Sequence, residues 1–280
     1  GLAIGAADKP PEAVRKDAAV TVSGIAVGDA ESALTAAFGQ PARKEASEYG
    51  FTWYIYNRDY TRFVMAGVAG GRVVALYANG SNLQVNELPG EPLAYIEKDN
   101  VRYMIPKQDG YSVYDAGSAY VTVFYDVHEQ YSVSAVQVVD KATELSLKGF
   151  YGKPSDQLAK SFERITLDLV NSARVRRGLG ALEWDDGAAR TAKEHSADMV
   201  ENNFFNHINL RGENHGDRLE LNGVDFFVAG ENIAYGQTSA VFAHEVWMNS
   251  LGHRSNILGD FDRLGAGVAF TDDGVPYYTQ

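Results

Sequence analysis

Five of the six histidines in this 280-residue chain lie after residue 190, so the second half holds most of the residues that could do chemistry. Histidine binds metal ions and transfers protons readily because its ordinary pKa is about 6.5. His207 follows the end of a predicted helix, and His253 follows a glycine that breaks another one. Glu231 lies between them in the sequence, among apolar residues that predict partial burial. Because a buried carboxylate needs partners, we expect the two histidines to supply them.

The other histidines of this half are weaker candidates. His195 lies on the apolar face of a predicted helix, where we expect a core histidine bonded to a backbone group. His215 is expected in a loop. His244 begins a sequence like the zinc-protease motif H-E-x-x-H, but Met248 stands where the second ligand would be. A zinc protease of that type is therefore excluded, and we expect His244 on the exposed surface of its helix.

A serine offers a second kind of chemistry. Ser250 precedes His253 by three residues, and Glu231 could orient the imidazole, which would give a nucleophile, a base and an orienting group. No G-x-S-x-G turn is present to expose such a serine, and a helix-end position is the preferred interpretation of Ser250. Glu231, Ser250 and His253 remain catalytic candidates, with no catalytic residue assigned.

The elements that must position these residues are mostly helices. Two further helices are predicted at residues 185–203 and 239–250, and a closing hairpin at residues 265–279. The first helix of this half is predicted to run from Ser155 to Gly178, with apolar residues at steps of three and four: Leu158, Phe162, Ile165, Leu169 and Ala173.

The first half is rich in predicted strands. Residues 51–56 combine aromatic and β-branched side chains, as strands prefer. Residues 63–68 and 72–78 flank Gly70-Gly71, which predicts a hairpin, and residues 120–125 and 133–139 predict a second one. One helix, capped by Asp29, is predicted before Gly39. The fold class is therefore α+β, a strand-rich α+β half followed by a mixed helical half.

Composition excludes several functions. The chain has no cysteine, which removes disulfides, thiolate nucleophiles and iron–sulfur clusters. A net charge of -12 argues against nucleic acid as a partner. No stretch approaches the roughly 18 consecutive apolar residues that a membrane-spanning helix needs.

Residues from about 160 to 280 resemble the CAP superfamily, which includes cysteine-rich secretory proteins, insect antigen 5 and plant pathogenesis-related proteins. The resemblance is to the cysteine-free bacterial version. It implies an α-β-α sandwich with a central cleft. Four motifs carry it in order: Leu169-Val170-Asn171-Ser172-Ala173-Arg174, Phe205-Asn206-His207, Gly230-Glu231-Asn232-Ile233-Ala234, and Trp247-Met248-Asn249-Ser250 continuing into Gly252-His253-Arg254-Ser255-Asn256-Ile257-Leu258.

The resemblance also implies a site. Eukaryotic members line the cleft with two histidines and two glutamates that can hold a divalent metal ion. The resemblance places His207, Glu231 and His253 at three of these four positions. At the fourth, where eukaryotic members have the second glutamate, this chain has Ser250. Two histidines and one carboxylate can still bind Zn²⁺ or another divalent metal, although the sequence does not establish a cofactor. The predicted ligand-binding set is His207, Glu231, Asn232, Ser250 and His253.

The first half resembles, less sharply, the domain that precedes CAP domains in some Gram-positive bacterial proteins. We therefore predict a leader or linker at residues 1–20, a CAP-associated N-terminal domain at 21–150 and a CAP domain at 156–280. The motifs behind this resemblance are Gly24-Ile25-Ala26-Val27-Gly28, Phe38-Gly39-Gln40-Pro41, Tyr49-Gly50-Phe51-Thr52-Trp53-Tyr54 and Val123-Phe124-Tyr125-Asp126.

Three functions are consistent with these patterns. The preferred one is a secreted or cell-surface bacterial protein whose cleft binds a ligand or metal, with the first domain as an interaction module. The partner would be an unidentified ligand or a cell-envelope component. A hydrolase, either zinc-dependent or of the Ser/His/Glu type, could instead act on peptide or cell-wall substrates. A purely structural polar cluster is the third. The sequence leaves the oligomeric state open.

Overall fold

The structure, a computed structural model, describes residues 18–106 and 110–280. The predicted leader or linker, residues 1–20, lies outside the described residues except for its last three. Within these two ranges, every helix is too short or too polar to cross a bilayer.

The N-terminal half comprises residues 18–154 and contains mainly strands. In chain order its elements are β1 (Val20–Val22), α1 (Glu31–Phe38), β2 (Arg43–Ala46), β3 (Thr52–Tyr56), a short 3₁₀ turn (Tyr60–Arg62), β4 (Val64–Ala69), β5 (Arg72–Ala78), β6 (Leu83–Val85), β7 (Tyr95–Lys98), β8 (Val101–Met104), β9 (Tyr111–Asp115), β10 (Ala119–Asp126), β11 (Ser132–Asp140) and α2 (Lys141–Ser146).

The C-terminal half comprises residues 155–280 and contains the longer helices. Its elements are α3 (Asp156–Val175), β12 (Glu183–Trp184), α4 (Asp186–Glu201), α5 (His215–Leu221), β13 (Ile233–Tyr235), α6 (Ala240–Met248), α7 (Leu251–Ile257), β14 (Arg263–Leu264), β15 (Gly267–Phe270) and β16 (Pro276–Thr279).

A seven-stranded antiparallel sheet forms the N-terminal half, in the order β2-β3-β4-β5-β11-β10-β9. Both predicted hairpins are confirmed, as β4–β5 and β10–β11. Gly70 and Gly71 connect the first pair at φ values of 57° and 72°, a conformation that favours glycine. The predicted cap of α1 is wrong, because Asp29 instead accepts a hydrogen bond from the Ala26 amide at 2.9 Å.

The C-terminal half is a three-layer sandwich. Its central sheet has the order β13-β16-β15, with α3 packed on one face and α4 on the other. Gly267 lets α4 approach closely, because a Cβ atom there would lie 2.1 Å from the Lys193 backbone nitrogen. Gly265 faces the Ala189 backbone in the same way, at 2.1 Å. The α-β-α fold that the resemblance implied is confirmed.

The two halves share one hydrophobic core. The predicted apolar face of α3 is buried, including Phe162 and Leu169, and it packs in one cluster with Trp53, Phe63 and Tyr77 of the large sheet. The opposite face of that sheet is covered by α1 and β1. The large sheet therefore packs against the sandwich on its α3 side, so that α3 lies between the two sheets.

Polar contacts reinforce this junction. Asp168 on α3 is 1% exposed and accepts hydrogen bonds from Arg43, Asn57 and Tyr60 of the N-terminal half. Elsewhere in the junction, Asp126 pairs with Arg254 at 2.8 Å. It also pairs with Arg177, two residues beyond the end of α3, at 2.9 Å. Because these partners lie between 51 and 128 residues apart in sequence, the sequence alone could not pair them.

Candidate functional site

The predicted cleft residues come together from three separate segments of the C-terminal half. Glu231 and Asn232 precede β13, and Asn232 exchanges backbone hydrogen bonds of 2.9 Å with Gln280. His207 lies in the loop after α4. His253 lies on α7 together with Gly252, so the prediction that this glycine breaks a helix is wrong. The short sheet therefore fixes the carboxylate, while a loop and a helix bring the histidines.

Glu231 is buried at 8% exposure, and both of its carboxylate oxygens have partners. His207 Nδ1 lies 2.9 Å from Oε1, and Arg218 Nη2 lies 2.8 Å from Oε2 and 3.0 Å from Oε1. Burial raises the pKa of Glu231, but the His207 hydrogen bond and the Arg218 charge outweigh it, so the pKa lies below its ordinary value. The carboxylate is therefore ionised at neutral pH.

Sequence reasoning missed Arg218. It lies on α5, whose start is fixed by a capping box between Asn214 and Asp217. Its side chain is buried and also donates to the His207 backbone oxygen at 2.9 Å. The Asn214-x-x-Asp217 pattern would have predicted this helix, but no local pattern indicates that its arginine points at Glu231.

His207 is fixed by two hydrogen bonds but remains partly exposed to solvent. Its side chain is 47% exposed, although Nδ1 contacts Glu231 and Arg218 holds its carbonyl oxygen. The imidazole is therefore fixed in orientation while one side faces solvent. This arrangement suits a residue that contacts a ligand.

His253 is also in the cleft, but it is not bonded to Glu231. Its backbone oxygen accepts from the Asn232 side chain at 3.1 Å. Within the described residues, its buried Nδ1 atom has no hydrogen-bond partner. Burial and then the electrostatic interaction with His207 lower the pKa of His253, so its ring is neutral at neutral pH.

The nucleophile–base–orienter set is not assembled. Ser250 occupies the position before α7 without a side-chain cap. In the part of the chain that the structure describes, no hydrogen bond joins Ser250 to His253 or His253 to Glu231. The physical reason is that Glu231 is engaged by His207 and Arg218 and so orients the wrong histidine for this chemistry.

The predicted metal set does not fit a metal ion either. Across residues 18–106 and 110–280, no three histidine, aspartate or glutamate side chains are grouped so that they could hold one. A cation at Glu231 would have to displace the guanidinium of Arg218, which already neutralises the carboxylate. Arg218 therefore occupies the Glu231 oxygens that a metal ion would need.

Two other histidines contact backbone oxygens of the loops next to the site. His195 is 1% exposed, and its Nε2 atom lies 2.9 Å from the Asn206 backbone oxygen, which confirms the predicted core histidine. The prediction that His215 lies in a loop is wrong: it is the first residue of α5, and its Nε2 lies 3.2 Å from the Ala229 backbone oxygen. They tie down the loops that carry His207 and Glu231.

The prediction for His244 is wrong, because this residue is 4% exposed. Neighbouring Glu245 is also buried and accepts a hydrogen bond from Ser134 of the N-terminal half at 2.9 Å. Burial lowers the pKa of His244 to about 3 and raises that of Glu245 to about 7. The side of α6 expected in solvent instead faces Arg176 and Arg177 at the end of α3, against which α6 packs, and the sequence of α6 does not reveal this.

A mostly apolar cavity of about 130 Å³ lies behind Glu231 and Asn232. Its walls come from α4, α5 and the segment that follows α7. Among the residues that line it are Ala192, Leu219, Phe226, Ile257 and Phe261.

Comparison with known proteins identifies the class. Residues 27–150 match the family model for the CAP-associated N-terminal domain, and residues 167–280 match that of the cysteine-rich secretory protein (CAP) family. The chain therefore belongs to the CAP family and has its two-domain architecture with the associated N-terminal domain. Both matches lie inside the predicted ranges 21–150 and 156–280.

Particular relatives come from Bacillus. The chain is 34% identical over 279 residues to the uncharacterized membrane protein YlbC of Bacillus subtilis, covering 88% of this chain and 79% of YlbC. The uncharacterized protein YkwD of the same organism is 35% identical over 108 residues, which cover 38% of this chain and 42% of YkwD.

Two solved structures are similar over nearly the whole chain. An extracellular protein containing an SCP domain from Bacillus anthracis has a TM-score of 0.76 and 29% identity, covering 97% of this chain and 98% of that one. A cysteine-rich secretory protein from Staphylococcus aureus has a TM-score of 0.72 and 20% identity, covering 92% of each chain. The second likeness concerns the fold alone.

Proposed function

We propose that this chain is a non-catalytic binding protein at the cell exterior, with the ligand seated in the cleft. The observation that carries this is the engagement of Glu231: its oxygens are taken by Arg218 and His207, while the His207 ring is 47% exposed. A glutamate paired in this way makes a poor general base, whereas a fixed and exposed imidazole makes a good ligand contact.

The free hydrogen-bonding atoms favour an oxygen-rich ligand. Within the described residues, Arg218 Nε and Nη1, His253 Nδ1 and Gln280 Nε2 are buried without partners. Three of these atoms are obligatory donors, and the His253 nitrogen donates in one tautomer. Carboxylate, carbonyl or hydroxyl oxygens of a cell-envelope component would satisfy them, with Ser250 as a further contact. Asn232 is 0% exposed and bonded to His253, Gln280 and Asn256, so it would hold the site together rather than touch the ligand.

Similar proteins support the location. One structural neighbour is described as an extracellular protein and one relative as a membrane protein. In our proposal the N-terminal domain acts as the interaction module that docks to the envelope. Its exposed side would do so, because the face toward α3 lies in the shared core.

Binding can be followed at the histidines themselves. Soluble peptidoglycan fragments, added to the full chain, are expected to shift the imidazole NMR signals of His207 and His253. His207→Ala should weaken binding about tenfold or more, as expected for loss of a polar contact to a charged or polar ligand. The control Asp272→Asn changes an exposed residue far along the last hairpin and should bind normally.

Two results would contradict this function. Equal affinity of the wild type and His207→Ala would place the ligand elsewhere. Turnover of peptide, ester or peptidoglycan substrates that Ser250→Ala or His253→Ala abolishes would instead establish a hydrolase.

A further inference from the structure

A second and larger cavity lies between the two halves of the molecule, away from the histidine cleft. Its volume is about 310 Å³, against about 130 Å³ for the cavity behind Glu231. The strands β9, β10 and β11 form its floor. The β7–β8 hairpin, α2 and the segment from Gly236 into α6 form its walls. This volume falls at the lower end of the range of about 300–1,000 Å³ that is usual for small-molecule sites.

Six aromatic side chains line this cavity. Two of the rings, Tyr103 and Phe150, are stacked with centroids 6.4 Å apart. The ammonium of Lys98 lies 5.3 Å from the Tyr103 centroid, so one ring already carries a cation on its face. The aromatic residues of the lining are Tyr49, Tyr103, Tyr111, Tyr120, Phe150 and Phe242.

Three described residues of this lining carry a buried side-chain oxygen that lacks a donor. Among the described residues that line it, the buried side-chain atoms without a hydrogen-bond partner are Glu48 Oε2, Gln137 Oε1 and Gln237 Oε1. Glu48 and Gln137 are 7% and 3% exposed. All three atoms are acceptors, and unpaired buried acceptors cost free energy that a ligand with donors would recover.

The remaining charges of the cavity are already paired. Lys98 Nζ lies 2.7 Å from Glu144 Oε1, and the Tyr49 hydroxyl donates to the other oxygen of Glu144. Glu48 is thus the carboxylate without a cation in this lining of described residues. A ligand should therefore bring a positive charge.

We propose that this cavity binds an organic ammonium, a primary amine carried on a compact apolar or aromatic body. An ammonium group has N–H donors and no acceptor, and the unpaired buried atoms of Glu48, Gln137 and Gln237 in this lining are all acceptors. Its positive charge pairs with Glu48 and is also attracted to the faces of the tyrosine rings. The apolar body would pack against the rings between the two halves.

The protonation of Glu48 gives this binding a pH dependence. Glu144 on α2, Tyr49 beside it in sequence and Tyr278 on β16 face Glu48, and Lys98 pairs with Glu144. Burial, with a contribution from the Glu144 charge, raises the pKa of Glu48 to about 7. An amine with a pKa near 10 stays protonated between pH 6 and 8. Affinity for the ammonium should therefore fall roughly tenfold from pH 8 to pH 6 as Glu48 takes up its proton.

Three matched probes test the ligand class by isothermal titration calorimetry on the full chain at pH 8. Phenethylammonium should bind, 2-phenylethanol should bind at least tenfold more weakly, and phenylacetate should not bind. Equal affinity for the ammonium and the alcohol would overturn the proposal. So would a lack of phenethylammonium binding at millimolar concentration.

Variants test the location. Glu48→Gln keeps the shape of the side chain but removes its charge, and it should lose tenfold or more in affinity together with the pH dependence. Glu97→Gln makes the same change at an exposed position on the β7–β8 hairpin and should bind like the wild type. Gln237→Lys, at a half-buried loop position, should abolish binding by placing a competing cation in the cavity.

The outcomes separate this site from the histidine cleft. His207→Ala should leave phenethylammonium binding unchanged. If Glu48→Gln and Gln237→Lys both fold, as judged by circular dichroism, and both retain wild-type affinity, the ammonium does not bind in this cavity and the proposal fails.

Discussion

Glu231 depends on Arg218 for a stable charge. The two side chains are 5% and 7% exposed, so the ion pair is screened little by water. A buried carboxylate that loses such a partner is strongly destabilised. Arg218 is therefore as much a part of the site as the histidines that the sequence indicated.

Arg218→Ala should lower the free energy of unfolding by about 3 kcal/mol, because Glu231 would remain buried and unpaired. Urea denaturation at pH 7 measures this. The matched double variant Arg218→Met with Glu231→Gln removes both charges and should recover most of the loss. If Arg218→Ala is as stable as the wild type, the ion pair contributes nothing to holding the cleft.

The sign of the pH effect follows from the same contacts. The pKa of Glu231 is lowered in the folded state, where burial is outweighed by His207 and Arg218. Its contribution to stability is therefore present above the ordinary carboxyl pKa of 4.5 and is lost as the pH falls through the lower folded-state value.

At the scale of elements, α4 and β15 show how closely the sandwich is packed. The spacing of apolar residues predicted α3 and α4, because helix periodicity depends on residues three and four apart. The spacing of apolar residues does not predict the close approach of α4 to Gly267, because that contact joins residues far apart in sequence. A Cβ atom at Gly267 would lie 2.1 Å from the Lys193 nitrogen, so the backbones would have to separate.

Gly267→Ala should accordingly destabilise the protein by about 3 kcal/mol, the upper end of what overpacking usually costs. The control is Gly180→Ala, at a loop position where an added Cβ meets nothing within 4 Å. Thermal unfolding followed by circular dichroism compares the two variants. A Gly267→Ala variant as stable as Gly180→Ala would mean that α4 is loosely packed.

The whole molecule is organised by the junction of its two halves. Glu245 on α6 lies in this junction beside Ser134, Arg176, Arg177, Asp126 and Tyr77. Burial, opposed only in part by Ser134 and the arginines, raises its pKa to about 7. The stability that Glu245 contributes is thus complete below its ordinary pKa and is lost as the pH rises through about 7, because a buried charge must then form.

Glu245→Gln keeps the acceptor for Ser134 and removes this titration. Relative to the wild type, the variant should gain about 2 kcal/mol in unfolding free energy between pH 5.5 and pH 8. Urea denaturation at the two pH values measures the change, with Glu97→Gln as the exposed control. A stability difference that stays constant over this range would show that Glu245 titrates normally.

The sequence by itself determined the helices α3, α4 and α6, the hairpins β4–β5, β10–β11 and β15–β16 and the CAP family, and it indicated His207, Glu231 and His253 as candidates. Each of these follows from local information, since helix and strand periods and motif spacing depend on near neighbours in the chain. Only the tertiary structure decided that Arg218 neutralises Glu231 and that His244 is buried in the junction between the two halves. It also decided that Glu48 shares a cavity with Gln237, almost 200 residues away. A charge or a buried acceptor takes its character from whatever lies within a few ångströms, and in this fold those neighbours come from distant parts of the sequence.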